Sequence, residues 1–251
     1  MLRNIKEIHG YVLVGEDGEI GQCRDFLFDE RFWTIRYMVA DTGKWLPGKK
    51  VLVSPISLAE PDWTIKRLPV RLTQEQIENQ PPLEEHMPVS QEYEAKFLTY
   101  YSYPYYWVGG DLWGPGSVPR DMFGLNPEQV ERTREEIMER SSNPLRSTEE
   151  VAGYSIEASD GNIGHVEDFI LDTDQWVLRY VVIDPRNWLP GGRKVLVAQD
   201  WVSGIDWSQR TMEVDLTRDA IKNSPEYHPD EPINREYEIQ LYDFHGRPIY
   251  W

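Results

Sequence analysis

The sequence predicts a mainly β protein of two tandem small antiparallel β-barrels, each followed by short helices, with a helical linker between them. Three observations carry that expectation. One stretch of the chain is written twice, its apolar runs are short and rich in β-branched and aromatic residues, and an Asp-Gly pair separates the first two runs of each copy.

The repeat runs from Gly10 to Val53 and again from Gly153 to Val197. The first copy reads Gly10-Tyr11, Asp17-Gly18, Ile20-Gly21, Asp25-Phe26, Asp29, Trp33, Arg36-Tyr37, Asp41, Trp45-Leu46-Pro47-Gly48. The second reads Gly153-Tyr154, Asp160-Gly161, Ile163-Gly164, Asp168-Phe169, Asp172, Trp176, Arg179-Tyr180, Asp184, Trp188-Leu189-Pro190-Gly191. The offset of 143 becomes 144 once Gly192 is inserted. This divides the chain into a first barrel copy at 1–108, a Gly/Pro-rich linker at 109–145, and a second copy at 146–251.

Within each copy, Tyr11 to Val14 or Tyr154 to Ile156 forms the opening strand. Asp17-Gly18 and Asp160-Gly161 then predict tight primed turns, because Gly tolerates positive φ. Ile20 to Phe28 and Trp33 to Ala40 are the next two strands of the first copy, matched by Ile163 to Leu171 and Trp176 to Ile183. Trp-Leu-Pro-Gly turns the chain into Lys50 to Val53 or Lys194 to Val197, and a last strand covers Trp63 to Val70 or Trp207 to Leu216. Closing such strands into a barrel removes exposed edges. Thr73 and Thr217 are placed to cap short helices stopped by Pro81 and Pro225. Ser90 and Asn234 cap a second helix, whose expected apolar stripe is Tyr93, Phe97 and Tyr100, or Tyr237, Leu241 and Phe244. In the linker, Asn126-Pro127 starts a solvated helix over 127–140, with Glu128–Arg132 and Glu136–Arg140 pairs.

Composition excludes several function classes. Hydrophobic residues make up 40% and charged ones 27%, with ten Trp and fourteen Tyr, which is globular and not disordered. No apolar run reaches the roughly 20 residues that span a bilayer, and the first residues lack a signal-peptide core, so a cytoplasmic location is expected without direct membrane insertion. The net charge is −17, and residues 146–251 hold 10 Lys and Arg against 20 Asp and Glu. Without a basic stripe to displace phosphate counterions, no nucleic-acid partner is expected. Cys23, the single cysteine, is matched by Val166 and reads as a buried inert thiol.

The repeated pattern, with Asp215-Leu216-Thr217-Arg218-Asp219-Ala220-Ile221-Lys222-Asn223-Ser224-Pro225-Glu226-Tyr227 after it, resembles a PRC-barrel domain. That fold is known from the cytoplasmic domain of the photosynthetic reaction centre H subunit and the C-terminal barrel of a ribosome maturation factor. The resemblance covers about 1–108 and 146–251. It implies a small six-stranded barrel used for assembly and protein contacts, with no catalytic constellation of its own. Leu68-Pro69 and Pro81-Pro82 depart from the pattern in the first copy.

The repeat also sorts the candidate chemistry. The charged residues kept in both copies are Asp25, Asp29, Arg36 and Asp41, with Asp168, Asp172, Arg179 and Asp184. Turn capping and an Arg–Asp pair are the preferred reading. Metal-ion binding or hydrolysis by these carboxylates is the alternative. His9, His86, His165, His228 and His245 are unmatched between copies and show no ligand spacing. No catalytic, cofactor or metal residue is therefore assigned. Trp45, Leu46, Pro47, Trp188, Leu189 and Pro190, with the aromatic tail Tyr103, Tyr105, Tyr106 and Trp107, are the candidate protein-interaction residues. Three uses stand for these rings: pseudo-symmetric packing of the two copies on each other, which is preferred, an external protein partner, or a small-molecule pocket. The expected function is a non-enzymatic scaffold or adaptor, with assembly of a membrane-associated complex as the setting that the resemblance implies.

Overall fold

The computed structural model describes residues 1–43, 45–83, 89–125, 145–184 and 193–251. Strand β1 (Leu2–Asn4) runs into a single helical turn, α1 (Ile5–Ile8). Then come β2 (Val12–Val14), β3 (Glu19–Asp29), β4 (Ile35–Asp41), β5 (Lys50–Val53), β6 (Arg67–Pro69), α2 (Gln74–Glu78) and α3 (Gln91–Tyr100). The second copy repeats the order: β7 (Leu145–Ser147), a one-turn α4 (Thr148–Val151), β8 (Ser155–Ala158), β9 (Gly161–Asp172), β10 (Val177–Asp184) and β11 (Val195–Ala198). It continues through β12 (Val202–Asp206), β13 (Thr211–Val214), α5 (Arg218–Asn223) and α6 (Arg235–His245). The helix expected at 127–140, His86 and the turn containing Trp188, Leu189 and Pro190 lie outside the described residues.

The protein is mainly β and divides into two compact units. The N-terminal unit comprises Ile8–Thr148 and Asp174–Val177; the C-terminal unit comprises Met1–Glu7, Glu149–Thr173 and Leu178–Trp251. Residues 109–125, which the sequence places in the linker, belong to the N-terminal unit, where Trp113 is 1% exposed.

The six-stranded sheet has the order β5-β4-β3-β2-β6, with β7 added to β3; the seven-stranded sheet has the order β11-β10-β9-β8-β13-β12, with β1 added to β9. Among the described residues neither hydrogen-bonded path closes on itself. The antiparallel expectation also meets one exception in each sheet. Strand β2 pairs with β6, and β8 with β13, in parallel. In the first copy the chain leaves β5 through a 3-10 turn at Pro55–Ser57, and its return brings β6 alongside β2 in the same direction.

Burial follows the side-chain period of two from Gln22 to Asp25 of β3, where Cys23 and Asp25 are buried and Gln22 and Arg24 exposed. Strand β4 is buried from Ile35 to Ala40 on both faces, hence its unbroken apolar run. The copies agree even in unusual backbone. Trp33 and Trp176 both take positive φ, 54° and 59°, and Lys66 and Arg210 do so at 58° and 54°. A left-handed Trp is costly and persists because it is packed: Trp33 stacks on Phe28 at 5.5 Å.

The two-residue turns fall one position before each Asp-Gly pair, at 16–17 and 159–160, and without positive φ at those residues. In the first copy the loop spans residues 15–18, closed by Gly15 N–H donating to the Gly18 carbonyl at 2.8 Å. The Asp17 and Asp160 carboxylates reach across to accept from the first helical amides, Gln74 N and Arg218 N, each at 2.7 Å. They thereby satisfy donors that Thr73 and Thr217, bonded one turn on, leave over.

The second helix of each copy is also rotated from the expected stripe. Its buried residues are Glu94, Phe97 and Leu98, or Glu238, Leu241 and Tyr242, while Tyr100 and Phe244 are 41% and 46% exposed. Burial of Phe97 and Leu98 stabilises the docking by roughly 1.5–3 kcal/mol each. A carboxyl on the inner face overrides the apolar period because it finds partners there, Tyr106 for Glu94 and Tyr250 for Glu238.

Candidate functional site

The charged residues kept in both copies hold a buried relay together. In the N-terminal unit Arg36, 1% exposed, donates from Nε to Asp29 Oδ2 at 2.7 Å and from Nη1 to the Leu112 carbonyl at 2.6 Å. Its guanidinium lies 3.8 Å from the Tyr106 ring centre and 4.9 Å from that of Trp113, and Nη2 has no hydrogen-bond partner among the described residues. Ring faces thus take the place of the missing acceptor. Tyr106 in turn donates to Glu94 Oε1 at 2.8 Å. Burial pushes the Glu94 carboxyl up to about 8, against the lowering pull of Tyr106, Tyr37 and Arg36. Burial first, and then the Glu94 carboxyl, push the Tyr37 hydroxyl well above its ordinary value.

The C-terminal unit builds the same relay. Arg179 lies 3.4 Å from Asp172 and 4.2 Å over the Tyr250 ring, and Glu238 accepts from Tyr250 at 3.0 Å and from Tyr180 at 2.7 Å. The relay ties strands β3–β4 or β9–β10 to the following helix and aromatic tail. Sequence reasoning found the Asp and Arg and missed Glu94 and Glu238. The signal was present: Tyr93-Glu94 and Tyr237-Glu238 recur at the offset of 144.

The other shared carboxylates are engaged as well. Asp25 accepts from Phe26 N at 2.7 Å, Thr148 Oγ1 at 2.9 Å and Ser147 Oγ at 2.5 Å. Asp168 accepts from Phe169 N at 2.8 Å and Lys6 N at 3.3 Å, and burial lifts it to about 6. Asp41 caps its turn by accepting from Gly43 N at 2.9 Å and lies 3.5 Å from Arg24.

Of the proposed interaction residues, Trp45 is half-buried, Leu46 is buried and Pro47 is exposed. The turn is fixed by Thr42 Oγ1, which donates to Leu46 O at 2.7 Å and lies 2.9 Å from Lys49 O. In the tail, Tyr103 is 2% exposed, and Tyr105, Tyr106 and Trp107 are half-buried against their own unit. Tyr105 lies 3.1 Å from Thr99 Oγ1, and its ring centre is 4.8 Å from that of Trp107. The tail therefore packs inward, and the Trp45 turn is the part that faces open space.

Trp45 walls a cleft of about 450 Å³ with Glu19, Gln22, Arg24 and Asp41. A cleft of about 540 Å³ occurs at the equivalent place in the C-terminal unit, between Lys6, Asn162, His165, Glu167 and Asp184. Gly21 at φ 154° and Gly164 at φ 137° sit in the floors; a Cβ at Gly21 would lie 2.1 Å from the Asp41 carbonyl. Only glycine fits there. The walls place their charges differently: Arg24 pairs with Asp41 in one, and Glu167 takes Lys194 at 2.6 Å in the other.

Among the described residues no group of three or more His, Cys, Asp or Glu is placed to hold a metal ion, and no helix is long and apolar enough to cross a membrane. Compared with known proteins, the sequence matches no family model and no curated protein.

Proposed function

We propose that this chain is a non-enzymatic, cytoplasmic scaffold or adaptor that works through protein–protein contacts, its two units being PRC-barrel-like modules. Assembly of a membrane-associated complex is the setting that the resemblance suggests. One observation carries the reading. Asp25, Asp29 and Arg36, with Asp168, Asp172 and Arg179, are engaged inside their own units, whereas beside the shared Asp41 and Asp184 the other positions of the equivalent clefts have diverged, Gln22 against His165 and Arg24 against Glu167. The same scaffold thus presents two surfaces with differently placed charges, which suits an adaptor with two different partners. Trp45 is the anchor of the first surface, since half-buried Trp at a cleft wall dominates contact energetics.

The test is quantitative capture from native extract with the wild-type chain and with Trp45→Ala. Loss of an anchor worth about 2 kcal/mol lowers recovery of one specific partner about 30-fold. Equal recovery by both chains overturns the assignment of that cleft. Calorimetric titration with calcium, magnesium and zinc supplies the opposing outcome: saturable binding abolished by Asp168→Asn would establish an ion-binding protein instead.

A further inference from the structure

The first strand of each copy is not seated where the repeat would put it. Strand β1 precedes the first copy and completes the sheet of the C-terminal unit, whereas β7 precedes the second copy and completes the sheet of the N-terminal unit. The two seats are the same. Leu2, Arg3 and Asn4 face Asp172, Leu171 and Ile170, while Leu145, Arg146 and Ser147 face Asp29, Phe28 and Leu27, so every pair shifts by 143. Both segments open Leu-Arg, and both seats end at the matched carboxylates, Asp168 accepting from Lys6 N and Asp25 from Thr148 Oγ1. After each segment the chain changes unit inside a one-turn helix, at Glu7/Ile8 in α1 and at Thr148/Glu149 in α4. In α1 the anchors are Ile5, 1% exposed, on one side of the crossing and Ile8, 0% exposed, on the other.

We propose that the seat beside β9 is an interface for a second copy of this chain, which fills it with its own residues 1–7 in a reciprocal exchange. Such a dimer makes the same β1–β9 pairs and the same Lys6–Asp168 contact as the single chain, so the two forms differ in the tether and in the α1 turn, which opens at Glu7/Ile8. A short tether supplies an effective concentration of about 1 mM, so roughly half of the chains are exchanged at 1 mM protein and about 2% at 10 µM. Once formed, the dimer persists on dilution, because release must unseat Ile5 along with the strand.

The experiment refolds the full chain from urea at 10 µM and at 1 mM, as an equal mixture of two differently tagged versions, and then dilutes both samples for gel filtration and tag capture. The expected result is a dimer carrying both tags, about 25-fold more abundant in the 1 mM sample. Arg3→Pro removes a ladder donor at the middle of β1 and abolishes the dimer, while Arg3→Ala keeps the strand and retains it. A wild-type chain that stays monomeric at 1 mM overturns the proposal. So does an Arg3→Pro chain that dimerises as well as the wild type, because the contact would then lie elsewhere.

Discussion

Glu94 is the residue whose removal tests the buried relay most sharply. A carboxyl held above its ordinary value favours the folded state while protonated. Its contribution is complete below about pH 4.5 and is lost as the pH climbs through about 8. Between pH 6 and pH 9 that linkage amounts to about 2–3 kcal/mol, at about 1.4 kcal/mol for each unit between the two values. Burial sets the sign, and the facing groups do not offset it. Arg36 supplies one positive charge, which Asp29 already takes, and Tyr106 and Tyr37 offer only hydroxyls. Gln in place of Glu94 imitates the neutral acid, so Glu94→Gln should unfold within about 1 kcal/mol of the wild type near pH 4.5. It should then be the more stable chain by about 2 kcal/mol at pH 6 and by about 4–5 kcal/mol at pH 9. Urea titrations followed by tryptophan fluorescence at four pH values measure this directly. Parallel pH dependences in the two chains would refute the reasoning, since they would mean that Glu94 is already ionised in the folded state.

Three further outcomes follow from the same geometry. Asp29→Ala strands the buried Arg36 charge and should cost about 3–5 kcal/mol, whereas Asp29→Leu with Arg36→Met should recover most of the loss in thermal unfolding. Asp17→Ala and Asp160→Ala remove distant caps from α2 and α5, and each should lower the urea midpoint by the equivalent of about 1 kcal/mol without changing the slope. Cys23 is 0% exposed and burial pushes its thiol up, so a thiol reagent at pH 8 should label it only after unfolding; rapid stoichiometric labelling of the native chain would contradict that burial.

The repeat made much of the architecture legible, because a pattern written twice cancels chance. Strand positions, the caps at Thr73, Thr217, Ser90 and Asn234, and the paired Asp29–Arg36 all follow from residue chemistry that acts within a few positions. What escaped depends on partners distant in the chain. A three-residue strand such as β1 has no periodicity to read, and its place beside Asp172 is set some 170 residues away. The inner face of α3 escapes the apolar period because Glu94 is polar, and Tyr106, Tyr37 and Arg36 make its burial tolerable. Likewise Asp17 suggested a turn residue, while its carboxylate is aimed at a helix 57 positions further on. For the site, the divergence of Arg24 and Glu167 was visible in the residues, but that both line a cleft beside a glycine floor was not.

The long reach of β1 has a consequence during synthesis. Its three residues leave the ribosome early, yet the strand that receives them ends at Asp172. At 5–20 residues per second the nascent segment waits roughly 10–30 s for its acceptor. The Leu145–Ser147 segment has no such delay, since β3 is already present when it emerges. One sheet can therefore receive its added strand at once, whereas the other must wait for an acceptor made some 170 residues later.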